Sequence, residues 1–189
     1  VGGLSTYSFF FKTNIYMSCL LSTGRKLPCK SAFGGIKKVF FANFGEIDGV
    51  TVDASTGEAT LTGTPVWEEY DVKGASSLET TVTSSRENGT TFYTQTLNLT
   101  LTYLDALTQQ ELQVIAVARP YVAVEDYYGN TFLCGAENGM ELTGGTVTTG
   151  AAAGDLSGFT LVMEGMEETA PYFLDGAVTG SGEQIDPTA

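Results

Sequence analysis

The feature that most narrows what this chain can fold into is the stretch Leu78–Tyr103, centred on Glu87-Asn88-Gly89-Thr90. Asn-Gly supplies two residues that tolerate positive φ, as a two-residue type I′ hairpin turn requires. Pairing Glu87 with Thr90 sets the register of both arms, because strand side chains alternate faces with a period of two. One face then holds Leu78, Thr80, Val82, Ser84 and Arg86 opposite Thr91, Tyr93, Gln95, Leu97, Leu99, Leu101 and Tyr103. The other holds Glu79, Thr81, Thr83, Ser85 and Glu87 opposite Thr90, Phe92, Thr94, Thr96, Asn98, Thr100 and Thr102. The first turns apolar toward its base, and the second is hydroxyl and carboxylate almost throughout. About ten paired positions make a ribbon roughly 33 Å long. Its two edges need partners, from its own domain or from neighbouring subunits.

The rest of the chain reads as more strands. Ile36–Phe44, Val50–Asp53, Glu58–Thr62, Val66–Val72, Tyr121–Asp126, Thr131–Cys134, Glu141–Thr149 and Phe159–Glu167 are β-branched or aromatic runs bounded by turn residues. One helix is expected, where Thr108-Gln109-Gln110-Glu111 fits a capping box and Leu112 and Ile115 fall on one face before Pro120. The length of 189 residues, 42% of them hydrophobic, suits one core. The expectation is a mainly β, single-domain sandwich or barrel-like fold with a long β-hairpin and one flanking α-helix. Residues 1–16 differ in texture from the rest of the chain and read as an N-terminal extension ahead of Met17. Residues 17–175 form the β domain, and the Gly-, Ser- and Thr-rich stretch 176–189 is a flexible tail.

Charge is unevenly spread. The formal net charge is −13, yet residues 1–45 carry six basic side chains (Lys12, Arg25, Lys26, Lys30, Lys37, Lys38) and no carboxylate. The remainder sets Lys73, Arg86 and Arg119 against all 22 acidic residues. That balance disfavours general binding to nucleic-acid phosphates. It suits either a solvated acidic surface or attraction between the basic head of one copy and the acidic body of the next. For the second case Arg25, Lys26, Lys30, Lys37 and Lys38 are the inter-subunit candidates.

Chemistry is sparsely signalled. There is no histidine, which removes Ser-His-Asp and Cys-His arrangements and His-type zinc sites. Cys19, Cys29 and Cys134 are odd in number and lack paired metal spacing, so neither a disulfide framework nor a metal site is expected. Glu68-Glu69-Tyr70-Asp71 and Glu125-Asp126 are the densest acidic groups and could offer paired carboxylates only if they flanked a cleft; Glu125 and Asp126, adjacent on a strand, point to opposite faces and do not easily act together. Asp48–Asp53 does not match a calcium loop, and Gly144-Gly145 lacks the Lys-Ser/Thr of a phosphate loop. Asn88-Gly-Thr90 and Asn98-Leu-Thr100 match the glycosylation pattern by chance in a Thr-rich chain. No apolar run is long enough for a membrane-spanning helix. No catalytic residue, cofactor or metal is expected, and the chain reads as architecture rather than an enzyme.

Three stretches carry a family resemblance. Leu21-Ser-Thr-Gly-Arg-Lys-Leu-Pro-Cys-Lys-Ser-Ala-Phe-Gly-Gly-Ile-Lys-Lys-Val-Phe-Phe resembles the opening of virion tail proteins from phages of Bacteroidetes, crAss-like phages among them. Gly135-Ala-Glu-Asn-Gly-Met-Glu-Leu-Thr-Gly-Gly-Thr-Val-Thr-Thr-Gly and Leu156-Ser-Gly-Phe-Thr-Leu-Val-Met-Glu-Gly-Met-Glu-Glu-Thr-Ala-Pro resemble their closing stretches. The resemblance covers roughly residues 17–175 and implies a tail tube protein. Such proteins are β-sandwiches stacked as hexameric rings, with a hairpin from each subunit joining a continuous inner barrel around the DNA. It implies a virion protein, assembled in the bacterial cytoplasm, whose partners are its own copies and other tail and connector proteins. DNA would pass through without specific binding. The hydroxyl and carboxylate face of the hairpin (Glu79, Thr81, Thr83, Ser85, Glu87, Thr90, Thr94, Thr96 and Asn98) then becomes the candidate lumen lining. Two other readings stay open: a tail-completion or head–tail connector protein, and a carbohydrate-binding surface sandwich using Trp67, Tyr127 and Tyr128.

Overall fold

The structure is a computed structural model, and it describes residues 24–25, 33–72 and 74–180. The chain divides after residue 31, and the fold is that of the second unit alone, over residues 33–72 and 74–180. The expected extension 1–16, the start at Met17, Lys26, Lys30, Cys19, Cys29 and Lys73 lie outside the described residues, as does the tail beyond 180.

In chain order the elements are β1 (Ile36–Ala42), β2 (Ile47–Val52), β3 (Ala59–Gly63), β4 (Glu68–Asp71), β5 (Ser77–Ser85), β6 (Thr90–Thr102), α1 (Ala106–Ile115), β7 (Tyr121–Asp126), β8 (Thr131–Cys134), β9 (Glu141–Thr148), β10 (Gly158–Glu167) and β11 (Tyr172–Phe173). They build a five-stranded sheet in the order β11-β8-β7-β1-β4, a four-stranded sheet β5-β6-β10-β9 and a two-stranded sheet β2-β3. All the strand pairings within these sheets are antiparallel. This is the expected mainly β, sandwich-like fold with one helix.

Two cores share the five-stranded sheet. Val39 and Phe41 of β1 and Val122 and Val124 of β7 point into the main core, against Leu97, Leu99 and Leu101 of β6, Phe159, Leu161 and Met163 of β10, and Leu112 and Ile115 of α1. Phe40 and Ala42 alternate with them and point the other way, into a second core with Ile47, Ala59, Trp67, Tyr121, Ala123 and Leu133. The β2-β3 hairpin supplies part of that outer cover through Val50, Val52 and Leu61. Burial on both faces is why β1 and β7 read as near-continuous apolar runs instead of alternating ones.

The hairpin keeps its predicted faces but not its predicted turn. Ser85, not Glu87, pairs with Thr90, so the loop is the four residues 86–89. Gly89 alone in this loop has positive φ (64°), so the type I′ turn, which needs it at both central residues, does not form. Instead the Asn88 N–H donates to Ser85 Oγ at 3.3 Å and the loop widens. The slip is two residues on one strand, and a shift of two leaves every side chain on its face.

The helix also starts earlier than predicted. Asp105 is the N-cap, accepting from the Leu107 and Thr108 amides at 2.9 Å each. Thr108 therefore sits inside the first turn, and the Thr108–Glu111 capping box does not form. The Thr108 amide is the largest of the contacts that hold the Asp105 carboxyl below the usual range. Leu112 and Ile115 are buried as expected.

Candidate functional site

The four-stranded sheet has one face in the main core and one turned away from it. Following the registers, the outward face carries Glu79, Thr81, Thr83 and Ser85 on β5, and Phe92, Thr94, Thr96, Asn98 and Thr100 on β6. It continues with Thr160, Val162, Glu164 and Met166 on β10 and Glu141, Gly144, Thr146 and Thr148 on β9. The hairpin face read as a lumen lining is therefore half of a wider surface, whose other half mixes Thr and Glu with Val162 and the exposed Met166. Of the candidates, Glu79, Thr81, Thr83 and Thr90 are exposed, Ser85, Thr94, Thr96 and Asn98 are half-buried, and Glu87 lies in the exposed turn.

No lysine or arginine occupies this face among the paired residues of the four strands. One row across it reads Glu79, Thr96, Glu164, Glu141, with Glu164 and Glu141 directly opposite one another. Like charges so placed cost stability rather than adding it, so packing does not explain them. The hydroxyls partly bond among themselves: Thr146 and Thr160 approach to 2.5 Å across β9 and β10, and Ser84 and Thr91, on the other face, to 3.0 Å. Sequence reasoning missed the β9 and β10 share of the surface because it followed the hairpin alone. The alternation Thr160, Val162, Glu164 opposite Phe159, Leu161, Met163 was the available signal.

Both edges of this sheet, β5 and β9, lack a partner strand among the described residues. Beneath the β5 edge opens an apolar cleft of about 570 Å³, lined by Ile36, Leu78, Val124, Phe132, Pro171 and Phe173 among others. Beside β9, a second cleft of about 350 Å³ lies between α1 and the sheet, and Val147, 62% exposed, stands on its wall. The hairpin tip runs on beyond the covered part, leaving Val82 55% exposed on what is otherwise the core-facing side.

A buried polar brace joins the two main sheets. Gln95, 2% exposed on the apolar face of β6, accepts from the Gly135 amide at 3.0 Å and donates to the Thr169 carbonyl at 3.3 Å. Glu167, also buried, accepts from the Glu137 and Asn138 amides at 3.1 and 2.9 Å. Burial pushes the Glu167 carboxyl above its usual range against those two donors. Cys134 alongside is fully buried, which pushes its thiol up to about 12 and leaves it unreactive.

The basic candidates are dispersed. Lys37 pairs with Glu125 at 2.7 Å, and Lys38 pairs with Glu69 and reaches Asp71 at 3.9 Å, both across the neighbours of β1. The Glu69 contact is the main cause of a raised Lys38 pKa. These two lysines thus have partners within the chain, while Arg25 is exposed. The acidic groups have structural partners too, since Asp126 accepts from the Tyr128 and Asn130 amides and fixes its own turn. Trp67 is buried in the second core, away from any surface trio with Tyr127 and Tyr128. Those two tyrosines are exposed, and Phe33 meets Tyr127 edge-on at 5.4 Å. Among the described residues no three His, Cys, Asp or Glu side chains are placed to hold a metal ion, and no helix is long and apolar enough to cross a membrane.

No protein-family model, curated protein or solved structure matches the chain.

Proposed function

We propose that this protein is a virion structural protein that assembles into the tail tube of a phage, with the four-stranded sheet as its wall segment. The observation that carries this reading is a cation-free face, mainly hydroxyl and carboxylate with Phe92, Val162 and Met166 among them, on a sheet whose two outer strands have no partner strand among the described residues. A wall of that chemistry repels phosphate and offers DNA no fixed contact. Joining β5 of one copy to β9 of the next removes both edges by closure. Such a head-to-tail contact is heterologous and closes into a ring when the rotation allows.

Six copies, the number the family resemblance implies, would enclose a channel of suitable width. At about 4.8 Å between strands and a tilt of about 40°, each strand adds roughly 2 Å to a barrel's diameter. Six copies of a four-stranded sheet give roughly 24 strands and about 48 Å between backbones. Subtracting about 6 Å of side chain on each side leaves a channel of roughly 36 Å, wide enough for a double helix. The apolar cleft beneath β5 and the projecting Val147 on β9 supply complementary surfaces at the two edges. Stacking of rings rests on Arg25, Lys26 and Lys30, because reversing Lys37 or Lys38 would first break ion pairs inside the copy.

Electron microscopy and sedimentation of the full chain over a concentration series test the proposal. Rings or hollow tubes are expected, and Val147→Lys should abolish them while leaving far-UV circular dichroism unchanged, since that side chain is already exposed in the single copy. A monodisperse single copy at every concentration overturns the reading. A surface-binding sandwich is the second reading, favoured by the exposed Phe33, Tyr127 and Tyr128, and it calls for glycan binding by the single copy.

A further inference from the structure

The chain contains two Asn-Gly steps, Asn88-Gly89 and Asn138-Gly139, and the fold treats them in opposite ways. Asn-Gly is the dipeptide in which the following backbone nitrogen most easily reaches the side-chain amide, because glycine has no Cβ to obstruct the approach. Whether it does so depends on how firmly the surrounding hydrogen bonds hold both groups.

Asn138-Gly139 is held at every point the reaction would need to move. The Asn138 N–H donates to Glu167 Oε1 at 2.9 Å, its Nδ2 donates to the Met166 carbonyl at 2.9 Å, and the Gly139 N–H donates to the Gly135 carbonyl at 3.0 Å. Gly139 is buried, and a Cβ there would stand 2.7 Å from the Arg119 carbonyl oxygen. The nucleophile, the leaving group and the main chain between them are all engaged.

Asn88-Gly89 sits at the tip of the β5-β6 hairpin with both residues exposed. Its single hydrogen bond is from the Asn88 main-chain N–H to Ser85 Oγ, a long one at 3.3 Å, and its side-chain amide has no partner among the described residues. Open space surrounds Gly89, with nothing within 4 Å of where a Cβ would be. The strands on either side anchor the turn at Ser85–Thr90, and no strand pairing extends to the step itself.

We propose that Asn88 is a site of spontaneous deamidation in the native protein and that Asn138 is protected from it. The Gly89 nitrogen, after losing its proton to solvent base, attacks Asn88 Cγ. A Cγ–N bond forms, the Cγ–Nδ2 bond breaks, and ammonia leaves with a proton taken from solvent. Water then opens the five-membered imide at one of its two carbonyls, leaving an aspartyl or an isoaspartyl residue at position 88. No electron is transferred, and water is the sole co-reactant. Each product adds one negative charge beside Glu87, and the isoaspartyl form adds a carbon to the main chain within a four-residue loop. The hairpin tip therefore becomes more acidic with age. This inference rests on the turn alone and holds whether or not the protein forms a tube.

The test is incubation of the full chain in mildly alkaline buffer, with peptide mapping by mass spectrometry and enzymatic detection of isoaspartate over time. Conversion at Asn88 is expected to run roughly ten- to thirtyfold faster than at Asn138, from the two or three bonds that must break first at the protected step. In strong denaturant the two rates should converge, which assigns the difference to the fold and not to the dipeptide. Asn88→Gln should remove the fast phase and leave the slow one. Equal native rates, or faster conversion at Asn138, would overturn the proposal, as would a native difference that survives denaturation.

Discussion

Replacing Gln95 by leucine tests whether the polar brace between the sheets stabilises the fold or merely occupies it. Leucine is one atom shorter but of comparable bulk, and suits a face shared with Leu97 and Leu99. A reading based on apolar burial alone therefore expects it to be neutral or stabilising. Geometry argues otherwise. The Gly135 N–H is buried and loses its acceptor, which costs about 1–3 kcal/mol. The Thr169 carbonyl is half-buried and its bond is 3.3 Å, so water replaces part of it and the loss there is about 0.5–1 kcal/mol. The extra apolar surface returns some of this, and the net loss is about 2 kcal/mol. For a chain of this size that corresponds to a fall in Tm of roughly 4–8 °C. Urea unfolding should be followed by the fluorescence of Trp67, at concentrations where sedimentation shows a single copy. The midpoint should fall while the slope stays constant. A leucine variant as stable as the parent would show that the brace contributes nothing and that Gly135 finds another acceptor.

Three further outcomes rest on particular contacts. Gly158→Ala places a Cβ 2.1 Å from the Leu101 carbonyl oxygen, so β10 and β6 must part locally; a loss of about 2–3 kcal/mol in urea unfolding is expected, and a neutral effect would mean the ladder yields freely. The raised Glu167 carboxyl favours the folded state below the ordinary value of 4.5 and loses that contribution as pH rises through the raised folded value. Glu167→Gln should therefore gain stability relative to the parent as pH increases across that window, and parallel pH–stability curves would refute it. Asp105→Ala should speed hydrogen exchange at the Leu107 and Thr108 amides, whereas Thr108→Ala leaves the Leu107 amide protected, the reverse of what a Thr108 cap requires.

Much of the fold is legible because its strands carry strong local signals. Tyr121–Asp126 and Thr131–Cys134 can be located to the residue, since Pro120 precedes the first and Tyr127-Tyr128-Gly129-Asn130 separates the two. The faces of the hairpin survive a wrong turn because parity is insensitive to a slip of two. The cap is misplaced because Thr108 with Glu111 forms the more familiar pattern, while Asp105 announces itself only through the amides it accepts. Strand β11, two residues long, has too little pattern to be read, and the β2-β3 cover cannot be assigned to the back of the larger sheet without tertiary contacts. Of the candidate surface, the polar face on β5 and β6 is visible from alternation. Its continuation onto β10 and β9 needs the pairing of strands about 60 residues apart. Gln95 and Glu167 escape notice for a related reason: each is a polar residue at a core-facing position, and its partner lies in a loop distant in sequence.

The double burial of β1 also has a consequence for how the protein is made. Val39, Phe40, Phe41 and Ala42 find one partner strand nearby, β4 at Glu68–Asp71, but the other, β7, ends at Asp126, so β1 is not paired on both edges until residues 43–126 have emerged from the ribosome. Until then the nascent chain exposes an apolar segment of high β-propensity, the kind that joins its equivalent on another chain. Lys37 and Lys38 stand immediately before it. Later they settle into ion pairs with Glu125 and Glu69, but during synthesis those acids are not yet in place and the two positive charges keep neighbouring copies apart. A pair of residues that reads as an ordinary surface contact in the finished molecule thus also stands where gatekeeper charges flank an aggregation-prone strand.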